Sequence, residues 1–489
     1  MRILYYNWVD YLDADARGGG VSVYQRNIIA GLSDDPSIHC AFLSAGTSYD
    51  LRRRAPRIVT LQEGRSPRYA LVNSGLIAPS HADFAGSAQL DHPATERVFA
   101  DFVARTGPWD VIHFNNLEGL PANILDLKRK LPGTRFVLSL HNYYPFCPQV
   151  NLWHAERDSC ANFEGGARCV TCLPAAPDPR MVRLSYAGRG RLSKLGMGPD
   201  SPVYERLFRP LGSFAWAQFR ALRRKRSARR QEAAPPAPLK ASPSAEAFAR
   251  RRARMVALIN AHCDSVLCVS DRVRQIALHH GIHASRLRTL HIGTREASEW
   301  HYTHPRAAFL RQDGTLHLAY LGYMRRDKGF HFLMRALAAL PPETAGRIRL
   351  TVAARTGEAE ALALMAAARP HLAELRHVDG YSHEMLREML ADVDLGLVPV
   401  VWEDNLPQVA IEMHSRHIPL ITSDRGGAQE LGRCPDLVFR ANDTGSFHQV
   451  IGRVLDGSVT PARYWAQAMA PVSLPDHLTA LKSVYQGAS

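Results

Sequence analysis

Short apolar runs alternate along this chain with longer stretches of helical period, and the alternation is played through twice. In the first half, Met1–Asn7, Ile38–Ser44, Asp110–Phe114 and Arg135–Leu140 are runs of strand length, and Val21–Leu32 has helical spacing. A helical stretch, Ala247–Cys263, then leads into the run Ser265–Val269, a Ser270-Asp271 helix cap and the run Arg288–Ile292 before Gly293. In the second half, Leu316–Leu321, Arg349–Ala354, Arg376–Val378, Leu395–Val401 and Ile418–Thr422 read as strands. Helical composition marks Glu384–Ala391, Gln408–Arg416 and Asp476–Tyr485, and Gly426-Gly427 opens a short helix ending at Leu431. Strand, helix, strand in this order predicts an α/β protein with doubly wound parallel sheets. A length of 489 residues exceeds one ordinary core, so two domains are expected.

Composition narrows the class. A hydrophobic fraction of 46% and a charged fraction of 22% suit a soluble globular protein, and no apolar run reaches the ~18 residues of a membrane span. The start, MRILYYNWVDYLD, lacks the basic-then-apolar build of a signal peptide, so a cytoplasmic protein with free or metal-bound cysteines is expected. The net charge of +14 is local: Arg183 to Arg254 holds 18 Lys and Arg against four acids, which leaves the remainder neutral. This argues against nucleic acid as a partner and confines any basic function to one segment.

Candidate chemistry sits at strand ends. Gly18-Gly19-Gly20 separates the first strand from its helix, a corner where a ligand can approach backbone amides. The runs at Asp110 and Arg135 close on His113 with Asn115 and on His141-Asn142. Leu316–Leu321 passes into GYMRRDKGF, whose Arg325, Arg326 and Lys328 offer positive charge to a diphosphate. Asp404 stands before the helix at Gln408, with Glu412 eight residues further on. Eight residues make about 2.2 helical turns, so both carboxylates can face the crevice beyond the strand ends, where α/β sheets bind ligands.

This pattern resembles the Glu-x7-Glu signature of the retaining, nucleotide-sugar-dependent glycosyltransferases of the GT-B fold, in the family-four group, with Asp404 at the first Glu. GGVSVYQRNIIAGL from Gly19 resembles the family's Gly-Gly corner. Gly322, Lys328 and Gly329 match its Gly-Arg…Lys-Gly motif, but Tyr323 holds the Arg position. The resemblance implies two facing Rossmann-like domains with a deep cleft between them. Residues 1–299 would form the acceptor domain, 300–473 the donor domain, and 474–489 a helix packing back on the first. It implies transfer of a sugar from a nucleoside-diphosphate sugar to a glycan or lipid-linked hydroxyl with no catalytic cofactor. It also implies roles: Lys328, with Arg325 or Arg326 and the amides of Gly426 and Gly427, on the diphosphate, and Gly19 and Gly20 beside it. Asp404 with Asn405, Leu406, Pro407 and Gln408 would hold the donor sugar, Glu412 the ribose, and His141 the sugar's other side. His113 reads equally well as structural. A GT-B binding or scaffold protein and a nucleotide-sugar epimerase are the alternatives, the first suggested by Tyr323 and Asp404.

Two segments stand outside that frame. Cys147, Cys160, Cys169 and Cys172 fall within 26 residues, the last two as C-x2-C, and both a structural zinc site and buried free thiols fit them. From 183 to 245 the chain is a basic insertion: Pro210–Leu222 carries a helical apolar stripe with RRKRSARR behind it, and Gln231–Ala245 has four prolines and reads as linker. Aromatic residues beside cations suit an anionic membrane surface, placed at 183–230.

Overall fold

The computed structural model describes residues 1–15, 17–84, 86–173, 178–197, 201, 202, 206 and 244–487. Pro210–Leu222 and nearly all of the proline-rich stretch lie outside them. The first sheet is built from β1 (Arg2–Asn7), β2 (His39–Ser48), β3 (Arg57–Gln62), β4 (Arg68–Val72), β5 (Val111–Phe114) and β6 (Arg135–Leu140). After a small hairpin of β7 (Trp153–His154) and β8 (Asp158–Ser159), it is completed by β9 (Ser265–Cys268) and β10 (Leu287–Thr289). Its order is β10-β9-β6-β5-β1-β2-β4-β3, parallel throughout except where β3 runs against β4. The pair β3–β4 is absent from the apolar pattern because β3 is an edge strand with no fully buried residue.

The second sheet holds β11 (Leu316–Tyr323), β12 (Ile348–Arg355), β13 (Glu374–Val378), β14 (Leu395–Val398), β15 (Leu420–Ser423) and β16 (Val438–Phe439). Its order, β13-β12-β11-β14-β15-β16, is all parallel and reverses direction between β11 and β14, the switch point at which such sheets bind ligands. Parallel strands covered on both faces read as unbroken apolar runs, and five of the six residues of β1 and the first six of β11 are buried.

Breakers set boundaries that hydropathy overran. β14 stops at Val398 because Pro399 has no amide to offer the ladder, although Val400 and Val401 remain buried. β15 begins only after Pro419. The helix Gln408–His414 is shorter than its composition suggests, and the left-handed His417 turns the chain out of it.

The last helix, Leu474–Gln486, returns to the first sheet. Its Leu481 enters that core, and the Tyr485 hydroxyl lies 2.8 Å from the Tyr5 hydroxyl and 2.6 Å from His113 Nδ1. The carboxyl ends of the two sheets face each other and are tied directly. Asn405 Nδ2 donates to the Leu140 carbonyl at 2.9 Å, Ser270 Oγ to the Asn405 carbonyl at 2.7 Å, and Gln408 Nε2 to the Gly20 carbonyl at 3.0 Å.

Candidate functional site

Between the sheets lies a cleft of about 550 Å³ lined from both sides. The first sheet contributes Gly19, Gly20, Tyr24 and His141; the second contributes Tyr323, Lys328 and the run Asp404–Val409 with Glu412. Lys328 sits in the turn between β11 and the helix Phe330–Ala338, and Gly329 behind it is left-handed at φ +76°. A Cβ at Gly329 would fall 1.7 Å from the Pro399 carbonyl oxygen, so only glycine lets this turn lie against the end of β14. That contact aims Lys328 at the neighbouring loop, where Nζ reaches Asp404 Oδ2 at 2.5 Å and lies 5.3 Å from the Trp402 ring centroid.

Asp404 is fixed from beneath by its neighbour. Glu403 is buried and accepts from Arg272 Nε and Nη2 at 2.9 and 2.6 Å, from Arg425 at 3.2 Å and from the Gly426 amide at 3.1 Å. Burial pushes the Glu403 carboxyl up, but Arg272 and these other donors outweigh it and hold it below its ordinary range. Since Arg272 follows β9 and Glu403 follows β14, this pair also clamps one sheet to the other.

Glu412, buried on the helix Gln408–His414, accepts from the Tyr381 hydroxyl at 3.2 Å and has His383 Nδ1 at 3.7 Å. Burial raises its carboxyl above the usual value against the pull of His383 and Tyr381. His383 also reaches Glu296 at 3.4 Å, which in turn pairs with Arg416. His141 directly follows β6, with its ring 4.8 Å from that of Tyr24, and burial, then His477, push it down to about 3, so it is a neutral imidazole. Three buried polar atoms in the cleft lining have no hydrogen-bond partner among the described residues: His141 Nε2, Trp402 Nε1 and Asn405 Oδ1.

The structure thus brings Gly19, Gly20, His141, Lys328, Asp404, Asn405, Leu406, Pro407, Gln408 and Glu412 into one cleft. It does not bring in Arg325 or Arg326. Arg325 is held bidentate by Asp327 at 2.9 and 2.8 Å, and Arg326 by Glu360 at 2.5 and 2.7 Å. The amides of Gly426 and Gly427 are likewise taken, the first by Glu403 Oε2 and the second by the Asp404 carbonyl at 3.0 Å. These glycines serve close packing: a Cβ at Gly426 would meet the Asp404 carbonyl at 2.0 Å, and one at Gly427 the Asn405 carbonyl at 2.4 Å. The short helix starts at Gln429, not at the glycines. His113 is structural, bonded to Tyr485 and to Ser139 Oγ at 2.7 Å. Trp402, Tyr381, His383, Arg355 and the Arg272–Glu403 pair were not singled out in the sequence. A Trp beside two acids was the one local sign available.

The four clustered cysteines are buried and form no disulfide, and Cys169 and Cys172 pack with Phe84 and Phe248. Burial, then neighbouring thiols, push Cys169 up to about 12; burial drives Cys172 to about 11 against an Ala155 amide that donates to its sulfur at 3.4 Å. Among the described residues, the group of three candidate ligand atoms lying within 4.8 Å of one another is Asp271, His291 and Glu430, not a set of these sulfurs. Cys147, Cys160 and Cys172 each push the Cys169 thiol up, so the four thiols lie near one another. In the carboxylate group, Glu430 already accepts the amides of Asp271 and Arg272 at 2.9 and 2.7 Å and is a helix cap reaching across the cleft.

Residues 315–457 match the family model described as glycosyl transferases group 1. This part of the chain is similar to the group 1 glycosyltransferases. No curated protein matches the chain. Among solved structures, sucrose-phosphate synthase from Thermosynechococcus elongatus is similar at TM-score 0.55 and 14% identity, over 100% of this chain and 98% of that one. A UDP-forming α,α-trehalose-phosphate synthase from Burkholderia xenovorans, in complex with glucose-6-phosphate, gives 0.56 and 12% over 99% and 100%. Anabaena Alr3699/HepE in complex with UDP gives 0.55 and 12% over 100% of both chains. Residues 315–457 and the sheet preceding them together have the GT-B fold, two Rossmann-like units facing across a cleft.

Proposed function

We propose that this glycosyltransferase moves a hexose-type sugar, with retention, from a nucleoside-diphosphate sugar to a hydroxyl of a glycan or lipid-linked acceptor. The step belongs to the building of surface polysaccharide or glycolipid on the cytoplasmic side. The observation that carries this reading is the convergence of unpartnered His141 Nε2, Trp402 Nε1 and Asn405 Oδ1 with Asp404, Glu412 and Lys328 in one cleft. Buried polar atoms without partners are costly, and a sugar supplies hydroxyls that donate and accept in several directions.

In this proposal residues 300–473 hold the donor and 1–299 the acceptor. Lys328 meets the diphosphate, Asp404 and the Asn405–Gln408 run the sugar, His141 its other side, and Glu412 the ribose. The bond from the anomeric carbon to the diphosphate oxygen breaks with its electron pair going to the diphosphate. The acceptor oxygen bonds to that carbon on the same face, and its proton passes to the departing phosphate. A preorganised cation beside the developing negative charge lowers this barrier. His141, neutral at physiological pH, contributes a hydrogen bond and no charge. The UDP in the Anabaena relative and the sugar phosphate in the Burkholderia one support a nucleotide donor and a sugar-like acceptor.

A panel of nucleoside-diphosphate sugars, screened by thermal shift and then by nucleoside-diphosphate release, tests the reading, and NMR of the product's anomeric proton tests retention. Binding of a donor with neither hydrolysis nor transfer would favour the scaffold alternative. That alternative draws on Tyr323 at the arginine position and on Arg325 and Arg326 being committed to Asp327 and Glu360.

A further inference from the structure

The helix Pro179–Lys194 lies outside the cleft and serves none of the roles above. It holds five cations, Arg180, Arg183, Arg189, Arg191 and Lys194, and no acid. One face is anchored to the first sheet's domain. Tyr186 donates to the Ala78 carbonyl at 2.9 Å and stacks on Tyr49 at 6.1 Å, Arg183 donates to the Gly75 carbonyl at 2.9 Å, and Arg189 reaches Asp15 at 2.6 Å. At 100° per residue, this anchored arc (Val182, Arg183, Tyr186, Arg189) is centred about 180° from the arc holding Met181, Leu184, Gly188 and Leu195. The second arc is only about 60° wide. Its large side chains stand in solvent, with Met181 54%, Leu184 48% and Leu195 70% exposed.

An apolar ridge on a solvent-facing helix is anomalous, and here it is bordered along one edge by the side chains of Arg180, Arg191 and Lys194, which have no acidic partner among the described residues. Apolar residues bordered by unopposed cations match an anionic lipid surface in both chemistry and geometry. No described helix is long and apolar enough to cross a membrane, so any such contact is lateral. The anchored face leads toward the cleft: Arg17, 5.6 Å above the Tyr186 ring, belongs to the loop that runs into Gly18, Gly19 and Gly20.

We propose that this helix is a membrane-docking element, seating the Met181–Leu184–Leu195 ridge among anionic phospholipid headgroups and turning the glycine-corner side of the cleft toward the lipid surface. It deepens the proposed function by placing a lipid-borne acceptor, and it rests on that reading only for the acceptor, since docking is measured without turnover. Part of it departs from the sequence expectation: the ridge begins before residue 183 and is carried by this helix.

The test uses the full chain and sedimentation with vesicles of phosphatidylcholine alone or with 30% phosphatidylglycerol, at low and moderate salt. The wild type is expected to partition onto the anionic vesicles. Substituting Arg180, Arg191 and Lys194 together by Ser should weaken partitioning roughly 100-fold, three cations each contributing about fivefold. Met181→Ser with Leu184→Ser and Leu195→Ser should weaken it at least tenfold and leave an electrostatic remainder that salt removes. All six positions are exposed, and an unchanged melting temperature confirms folding. A second substitution, Arg223, Arg224, Lys225 and Arg226 to Ser, separates this helix from the rest of the basic segment. Three results would overturn the proposal: no anionic partitioning by the wild type, loss only in the second set, or a dimer that the ridge substitutions turn into monomer. Failure of the donor screen with vesicle binding intact would instead sink the transferase reading alone.

Discussion

Lys328→Ala is the most informative single change, because the lysine has two partners to lose. Without donor its ammonium sits 2.5 Å from Asp404, with the lysine side chain 27% and the aspartate 10% exposed. In the proposed reaction the same ammonium faces the leaving diphosphate, and the arginine that would share this load is absent: Tyr323 stands there, and Arg325 and Arg326 are bound elsewhere. Removing one preorganised electrostatic contact in a water-poor site costs a factor of about 10²–10³ in turnover, or about 2.7–4 kcal/mol. We expect Lys328→Ala to reach that range. The substitution also strands the Asp404 carboxylate, at about 1–3 kcal/mol of stability. The two effects separate in a double-mutant cycle with Asp404→Asn. The stability loss should largely disappear in the Asn background, a coupling of about 0.5–3 kcal/mol, while turnover should not recover. Arg325→Ala and Arg326→Ala are expected to lose less than about tenfold. The assay is nucleoside-diphosphate release under saturating acceptor, with urea or thermal unfolding for stability. Near-wild-type turnover in Lys328→Ala, on a confirmed donor and acceptor, would show that this turn does not hold the diphosphate.

Glu412→Gln keeps size but removes the charged acceptor proposed for the ribose, and donor affinity should fall by about 1.5–3 kcal/mol in a calorimetric titration; unchanged affinity and turnover would move the nucleotide off this helix. Asp404→Ala should abolish transfer while free nucleotide still binds, and full activity would remove the residue from the sugar site. His383 is raised above its ordinary 6.5 by Glu296 first and Glu412 after it. Its contribution to stability should therefore be complete below about pH 6.5 and fade as pH rises through the raised value; melting curves from pH 6 to 9 should show this in the wild type but not in His383→Asn, and identical pH profiles would contradict it. If Cys147, Cys160, Cys169 and Cys172 form the structural zinc site the sequence suggested, protein purified without chelator should carry about one zinc per chain, lost with Cys169→Ser and Cys172→Ser, and metal-free, correctly folded protein would refute the site.

The sequence determined the features that depend on near neighbours. Continuous apolar runs spaced by helical stretches were enough for two parallel α/β sheets, because strands covered on both faces must be apolar along their whole length. The spacing of Asp404 and Glu412 was enough to bring both to one crevice, although not through two helical turns: Asp404 lies in the loop after β14, and Glu412 one turn into the helix that starts at Gln408. Gly329 was legible too, although its cause, the Pro399 carbonyl, is seventy residues on. What the tertiary structure decided is which partner each charged group takes. Arg325 and Arg326 follow the same strand as Lys328, yet Asp327 and Glu360 hold them away while Asp404 draws the lysine in. The amides of Gly426 and Gly427 are taken by Glu403 and by the Asp404 carbonyl, and Glu403 in turn by Arg272, 131 positions away. Tyr381 and His383 reach Glu412 from a loop that no motif marks. An ion pair gains energy only at contact distance, so competition among several cations and acids is settled by the packing of strands far apart in sequence, which a local pattern does not encode.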